Sequence, residues 1–333
     1  MFSSNKVGLA NGYAGGWGNL GGGIVQLLMP LVYQAILKAG STPFTAWRLA
    51  FFIPALMQSC SAIAVLAFRQ DMPDGNYRSC TRAGRCRRPA SAACSATGVE
   101  LTVNNNIAQY FFDLFGVNLQ TAGLIAASFG MVNLNSRPIG GSMSDGLSRR
   151  FGMRGRLWGL WAIQTIEGVL CIVLGLVSGS FAASVSVMIL FSLFVQAAES
   201  LTFGVVPFVS RRALGLVNGM TSGGGSVGAV LTQLIFFHGS KYRTETGIMY
   251  MGVMIIACTL PTVLIYFPQR GGMLAGPRPG VTAEDYYNRE WTAEERDKGY
   301  NTGSVRFAEN SVREGGRSVA LGTQPMESSR GDV

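Results

Sequence analysis

Long apolar stretches, separated by short polar or basic gaps, dominate the chain up to Pro268. A helix needs roughly 20 mainly apolar residues to cross the hydrocarbon core of a bilayer. Runs of that length lie at about 8–37, 44–68, 119–143, 157–177, 181–207, 214–237 and 247–268. An eighth, at about 92–115, has the length but carries Glu100, three asparagines at 104–106, Gln109 and Asp113. Such a segment suits a bundle with a polar interior. The pattern predicts an all-α polytopic membrane protein. From Gln269 onward the chain is hydrophilic. There "TAEDYYNREWTAEERDKG" predicts a short helix capped by Thr282 with acids in its first turn. The last stretch, "SVREGGRSVALGTQPMESSRGDV", has the composition of disorder.

Composition supports the membrane reading. Hydrophobic residues make up 48%, mean hydropathy is +0.28 and charged residues are only 14%, against about 25% in soluble domains. Glycine occupies 44 of 333 positions, well above the usual ~7%, and small residues let helices in lipid approach closely. Up to Pro268 there are 18 Lys/Arg against 8 Asp/Glu; beyond it, 9 against 10. The basic residues sit in the gaps between apolar runs, which is the layout of membrane topology rather than of a nucleic-acid face. With eight spans and a cytoplasmic N-terminus, inside gaps hold thirteen Lys/Arg and outside ends four. That bias predicts both termini inside. Cys60, Cys171 and Cys258 fall in apolar runs as small hydrophobes; Cys80, Cys86 and Cys94 cluster without C-x-x-C or a nearby His. No metal site or cofactor is expected, and no nucleophile–base constellation supports an enzyme. The only His, His238, sits at an outer helix end.

One motif needs its own test. Gly16-Trp17-Gly18-Asn19-Leu20-Gly21, inside "YAGGWGNLGGGIVQLLMP", fits G-x-G-x-x-G. A dinucleotide turn requires a preceding strand and an acid about 20 residues on. Here no strand precedes Gly16 and the next acid is Asp71. The motif also recurs: Gly223-Gly224-Gly225-Ser226-Val227-Gly228. Aligned at an offset of 207, Asn11, Gly12, Gly16, Gly18, Gly21, Gln26 and Leu27 match Asn218, Gly219, Gly223, Gly225, Gly228, Gln233 and Leu234. Both copies open a long apolar span. Internal repeats of this kind build transporter folds. The copies fall in spans one and seven, so the unit is six helices. Eight spans then predict a twelve-helix parent lacking four helices ahead of Met1.

These two segments resemble the nitrate signature segments of the nitrate/nitrite porter family of the major facilitator superfamily, most nearly the high-affinity transporters of plants and algae. "GVELTVNNNIAQYFFDLFGVNLQTAGLIAASFGMVNLNSRPIGG" is similar to helices 7 to 8 of that family, "SDGLSRRFGMRGRLWG" to the basic loop between helices 8 and 9, and "EWTAEERDKGYNTGSVRFAENSVREGGRS" to its tail. The resemblance implies a partial bundle of about 8 of 12 helices. Residues 1–70 would be the last two helices of the N-terminal half, 71–98 a cytoplasmic loop with an atypical stretch, 99–268 the C-terminal six-helix half, and 269–333 a cytoplasmic tail. It implies high-affinity uptake of nitrate, with nitrite not separable from it, coupled to protons by alternating access at the plasma membrane. A small single-span accessory protein is an implied partner, and nucleic acid is not. The other reading is an inactive or regulatory fragment.

Arg137 in "NLNSRPIGG" lies mid-span and is followed by Pro138. An intramembrane Arg is costly, so function is the default reading; the bland alternative is snorkelling or pairing with Asp145. The resemblance places the substrate-binding arginine of helix 8 here, and a planar guanidinium matches a planar oxyanion. Gly16, Gly18, Gly21, Gly22, Gly223, Gly224, Gly225 and Gly228 are expected to line the anion path, pack helices closely, or both. Asn19 offers an amide to the anion. At the equivalent position the family usually has Asn, and this chain has Ser226. Glu100, Glu167 and Glu199 lie in apolar spans and are the proton-coupling candidates. Asp145, Arg149, Arg150, Arg154 and Arg156 match the superfamily's gating-loop motif. Two features depart from the family. Its second substrate arginine sits on helix 2, which this chain lacks. Residues 77–97, "YRSCTRAGRCRRPASAACSAT", are Arg-, Cys- and Ser-rich where the family is apolar, as a mistranslated or retained-intron stretch would be.

Overall fold

The computed structural model describes residues 6–68, 90–238 and 242–311. Among the described residues eight helices carry the fold: α1 (Val7–Lys38), α2 (Pro43–Phe68), α3 (Ala90–Phe115), α4 (Leu119–Met131), α5 (Asn133–Leu176), α6 (Phe181–Val205), α7 (Leu214–Thr232) and α8 (Thr244–Thr259). Their ends follow local sequence chemistry. Gly40 (φ 91°) breaks the chain before α2, which has proline at its first turn. Gly116 (φ 60°) stops α3. The Asn118 side chain accepts the Thr121 backbone N–H at 2.8 Å and so starts α4. A π-turn, Gln233–Phe237, extends α7. Most of the atypical 77–97 stretch lies outside the described residues; α3 begins at Ala90.

Among the described residues six helices are long and apolar enough to cross a membrane, one of them a 58-residue stretch from Leu119 to Leu176. That stretch is two crossings. Gly152 has φ 65° and ψ −151°, a conformation open essentially to glycine alone. Beyond it the chain doubles back: Arg156 Nη2 meets Asp145 Oδ1 at 2.9 Å, whereas eleven residues of straight helix would separate them by about 16 Å. The expected loop between the spans at 119–143 and 157–177 is therefore a one-residue hairpin, and Asp145 and Arg149 lie within its helical arms. The polar α3 is not among the six, although at 26 residues it is as long as α2.

Glycine sets the helix contacts. An added Cβ at Gly8, Gly12, Gly16 or Gly23 of α1 would meet backbone of Gly141, Arg137, Asn133 and Gly130 respectively. The partner number falls as the α1 number rises, so α1 runs antiparallel to α4 and the first arm of α5. Likewise Gly98 of α3 abuts Gly225 and Ala229 of α7, and Gly252 of α8 abuts Gly168 of α5. The main core, including Val103, Ile107, Phe129, Cys171, Leu174, Phe191, Val195 and Ile248, fills the space between α3, α4, α5, α6 and α8. α2 leans on α1 and leaves Phe51, Phe52, Met57 and Ile63 exposed.

The segment after α8 is a folded appendage. A two-stranded antiparallel pair, Tyr266–Phe267 with Gly271–Gly272, leads into α9 (Ala283–Asn288), α10 (Ala293–Asp297) and α11 (Thr302–Ser311). The Thr282 side chain caps α9 as the sequence predicts, accepting from Asp285 N at 3.1 Å. Thr292 and Glu295 form a reciprocal capping box on α10. The expectation of disorder for the last stretch falls almost wholly outside the described residues.

Candidate functional site

Arg137 sits on the first arm of α5 with a side chain only 3% exposed. Carboxylates from two other helices close on it: Nη2 lies 2.5 Å from Glu100 Oε2 of α3 and 2.9 Å from Glu199 Oε2 of α6. Its Nε donates to Asn133 Oδ1 at 2.7 Å and to Gln196 Oε1 at 3.3 Å. Asn19 of α1 donates Nδ2 to both oxygens of Glu100 at 3.1 Å. Thr97 donates its hydroxyl to Glu199 Oε1 at 3.2 Å. Four helices thus meet at one guanidinium. A methyl group at Gly15 would lie 2.8 Å from Arg137 Nη1, so bare backbone is what lets α1 approach. Pairing with Asp145, the bland reading of Arg137, is overturned: Asp145 belongs to Arg156.

Charge defines what the cluster can do. One guanidinium faces two carboxyl groups, and with both ionised the buried site is net negative. Burial of unbalanced charge is expensive, and such a site repels an anion. Protonation of one carboxyl makes it neutral, and protonation of both leaves a planar cation with donors free for a planar oxyanion.

A second polar cluster lies at the hairpin end of the bundle. Asp145 accepts the backbone N–H of Gly8 at 3.1 Å and of Leu9 at 2.9 Å. It thereby caps the start of α1, which has no side-chain cap of its own. Arg156, fully buried, donates to Asp145 and to Ser144 Oγ, both at 2.9 Å. The other loop arginines separate from this pair. Arg149 and Arg150 are exposed, and Arg154 donates to Leu274 O of the appendage at 3.2 Å.

The signature glycines divide. Gly16 abuts Asn133 and Arg137, whereas an added Cβ at Gly18, Gly21, Gly22 or Gly223 meets nothing within 4 Å. In the second copy Gly225 presses on Thr97, the residue bonded to Glu199. Gly228 lies against Gly98, and Gly224 is half-buried. Ser226 is exposed and its hydroxyl bonds Ser222 O of its own helix at 3.2 Å, so it does not join Arg137. Glu167 is buried but lies outside the cluster. Sequence reading missed Gly15, Thr97, Asn133 and Gln196. Two had a signal: Asn133 precedes Arg137 by four residues and Gln196 precedes Glu199 by three, spacings that share a helix face.

The chain is 69% identical to the high-affinity nitrate transporter 2.3 of Oryza sativa subsp. japonica over 98% of its own length and 66% of the relative. It is 56% identical to the high affinity nitrate transporter 2.5 of Arabidopsis thaliana, over 97% of its length and 68% of the relative. The chain belongs to the high-affinity nitrate transporter family. The nitrate transporter 2.1 of Chlamydomonas reinhardtii is 45% identical over 95% of the chain and 62% of the relative. No protein-family model matches the chain. The chain therefore spans about two thirds of the length of these family members. Membership, with the six apolar helices, makes it an integral membrane protein rather than an enzyme.

Proposed function

We propose that this chain carries the anion-binding centre of a nitrate or nitrite transporter. The observation that carries the reading is the buried Arg137, held by Glu100 and Glu199 from two other helices and reached by α1 through Gly15. The anion displaces a carboxylate from the guanidinium, and the displaced group takes a proton; uptake is therefore proton-coupled. Asn19, which donates to Glu100, turns its amide to the anion. Gly16, Gly18, Gly21 and Gly22, with Gly223, Gly224, Gly225, Ser226 and Gly228 of the twin helix, border the path as the bundle rocks. The Asp145 cap on α1 latches the hairpin end and must part for the other side to open. The plasma membrane, the division into two half-bundles and a single-span accessory partner complete this reading by family resemblance, and cytoplasmic termini by the Lys/Arg bias of the gaps.

The test is nitrate binding to the purified chain, followed by tracer uptake in cells that express it. Bound nitrate should raise the melting temperature of the wild type. Arg137→Lys should weaken binding about ten- to a hundredfold, the worth of a charge-assisted hydrogen bond. Wild-type affinity should fall as pH rises, and that dependence should flatten in Glu100→Gln and Glu199→Gln. Nitrate binding that is indifferent to Arg137 would sink the assignment. Binding without uptake would favour the other reading, a non-transporting fragment.

A further inference from the structure

Glu167 is the one carboxyl of the three candidates that the cluster leaves unused. It lies on the second arm of α5, fifteen residues after Gly152; Arg137 lies fifteen before it. At 1.5 Å per residue each is about 22 Å from the turn, so the hairpin sets Glu167 level with the ion cluster. It is 1% exposed and neither carboxyl oxygen has a hydrogen-bond partner. On its own face, Leu160 packs against Ala197 and Leu201 of α6. Further along, Cys171 and Leu174 pack with Val195 of α6 and Val103 of α3. Glu167 sits between these two apolar layers. An ionised carboxylate there has nothing to replace its water.

The ionisable groups around it are few. At that level they are Glu199 of α6, Glu100 of α3 and Arg137 of the first arm of α5, all members of the ion cluster, and Cys171, buried one turn further along its own helix. On α8 the ionisable side chains near that level, Tyr250 and Cys258, are exposed. Glu245 lies beside Gly175, two turns away, and pairs with Arg243 at 2.7 Å.

We propose that Glu167 is the proton store of the anion site. It bears a proton in this conformation and hands it to the Glu100–Glu199 pair when an anion takes Arg137. The O–H bond at Glu167 breaks and one forms at the displaced carboxylate; no oxidant or reductant is involved. Water on the open side then returns a proton to Glu167. This rests on the anion-site reading above.

The test is nitrate-induced infrared difference spectroscopy of the purified chain. The wild type should lose one protonated-carboxyl C=O band and gain another. Glu167→Gln should abolish the loss, and Glu167→Met, a neutral apolar replacement, should do the same if the amide misfolds. Both variants should also weaken nitrate binding several-fold at alkaline pH but not at acid pH. A lost band that persists in both variants overturns the proposal. A change in melting temperature with unaltered bands, the mark of a packing role, overturns it as well. A wild type with no nitrate-dependent spectrum refutes the anion-site reading and this inference with it.

Discussion

At the scale of the residue, the weight falls on Arg137. Removing one partner of a buried ion pair leaves charge uncompensated and costs about 3–5 kcal/mol. Arg137→Ala strands both Glu100 and Glu199, so it should destabilise the purified chain by about that amount, read from thermal unfolding in detergent. Arg149→Ala, at an exposed position, should stay within about 0.5 kcal/mol. Equal losses in the two would contradict the burial described. Arg137 itself was legible in the sequence, because a cation in an apolar run stands out. Its partners were legible only as candidates. Glu100 and Glu199 lie 37 and 62 positions away, one on a helix with several other polar residues and one on a helix apolar on nearly every side, and hydropathy singles out neither as the partner of Arg137. Glu167, with the same local signature, ends up elsewhere for that reason.

At the scale of the element, the glycine-rich helices separate into faces that are occupied and faces that are open. Gly141→Ala drives a methyl into Gly8 O, and Gly130→Ala into Gly23; overpacking of this kind costs about 1–3 kcal/mol. Gly18→Ala meets nothing and should be neutral or stabilising by up to about 1 kcal/mol through helix propensity. Thermal unfolding of the three variants checks this, and a destabilised Gly18→Ala would mean that the open face is covered. The repeat has a structural counterpart. Gln26 donates Nε2 to Asn104 O at 2.8 Å, and its equivalent Gln233 exchanges hydrogen bonds with Asn106 at 2.6 and 2.9 Å. The twin glutamines thus grip the polar α3 from both flanks, which is how a segment too polar to span alone is held. That a polar span would be satisfied by a bundle was readable from composition. The hairpin at Gly152 was not, since nothing in "RRFGMRGR" distinguishes a one-residue turn from a loop.

At the scale of the whole molecule, the appendage after α8 clamps one end of the bundle. Glu290 accepts the backbone N–H of Arg211 and Arg212 at 3.1 and 3.0 Å, and Arg212 donates to Glu290 O and Glu295 Oε1, both at 2.7 Å. Burial pushes the Glu290 carboxyl above its ordinary 4.5, against the pull of those N–H groups and of Arg211. A raised value means that the docked form holds the proton more tightly. Docking is then strongest below about pH 4.5 and weakens as pH climbs through the raised value. Hydrogen exchange at Ala283–Asp297, corrected for intrinsic rates, should show protection falling over that window and a flatter profile in Glu290→Gln; protection that grows with pH would refute it. The sequence marked this segment as polar and gave one cap correctly. It hid the docking because Tyr287, Trp291 and Phe307 are spread among charges, and only the fold brings them against the bundle. Phe307 and Tyr287 share one core with Val7, Met153, Leu157 and Phe208, so residues from both ends of the described chain complete it. During synthesis that core has no lid until α11 has left the ribosome. Closure thus waits on that helix, and a chain stalled before it presents a bare apolar patch for cellular quality control to find.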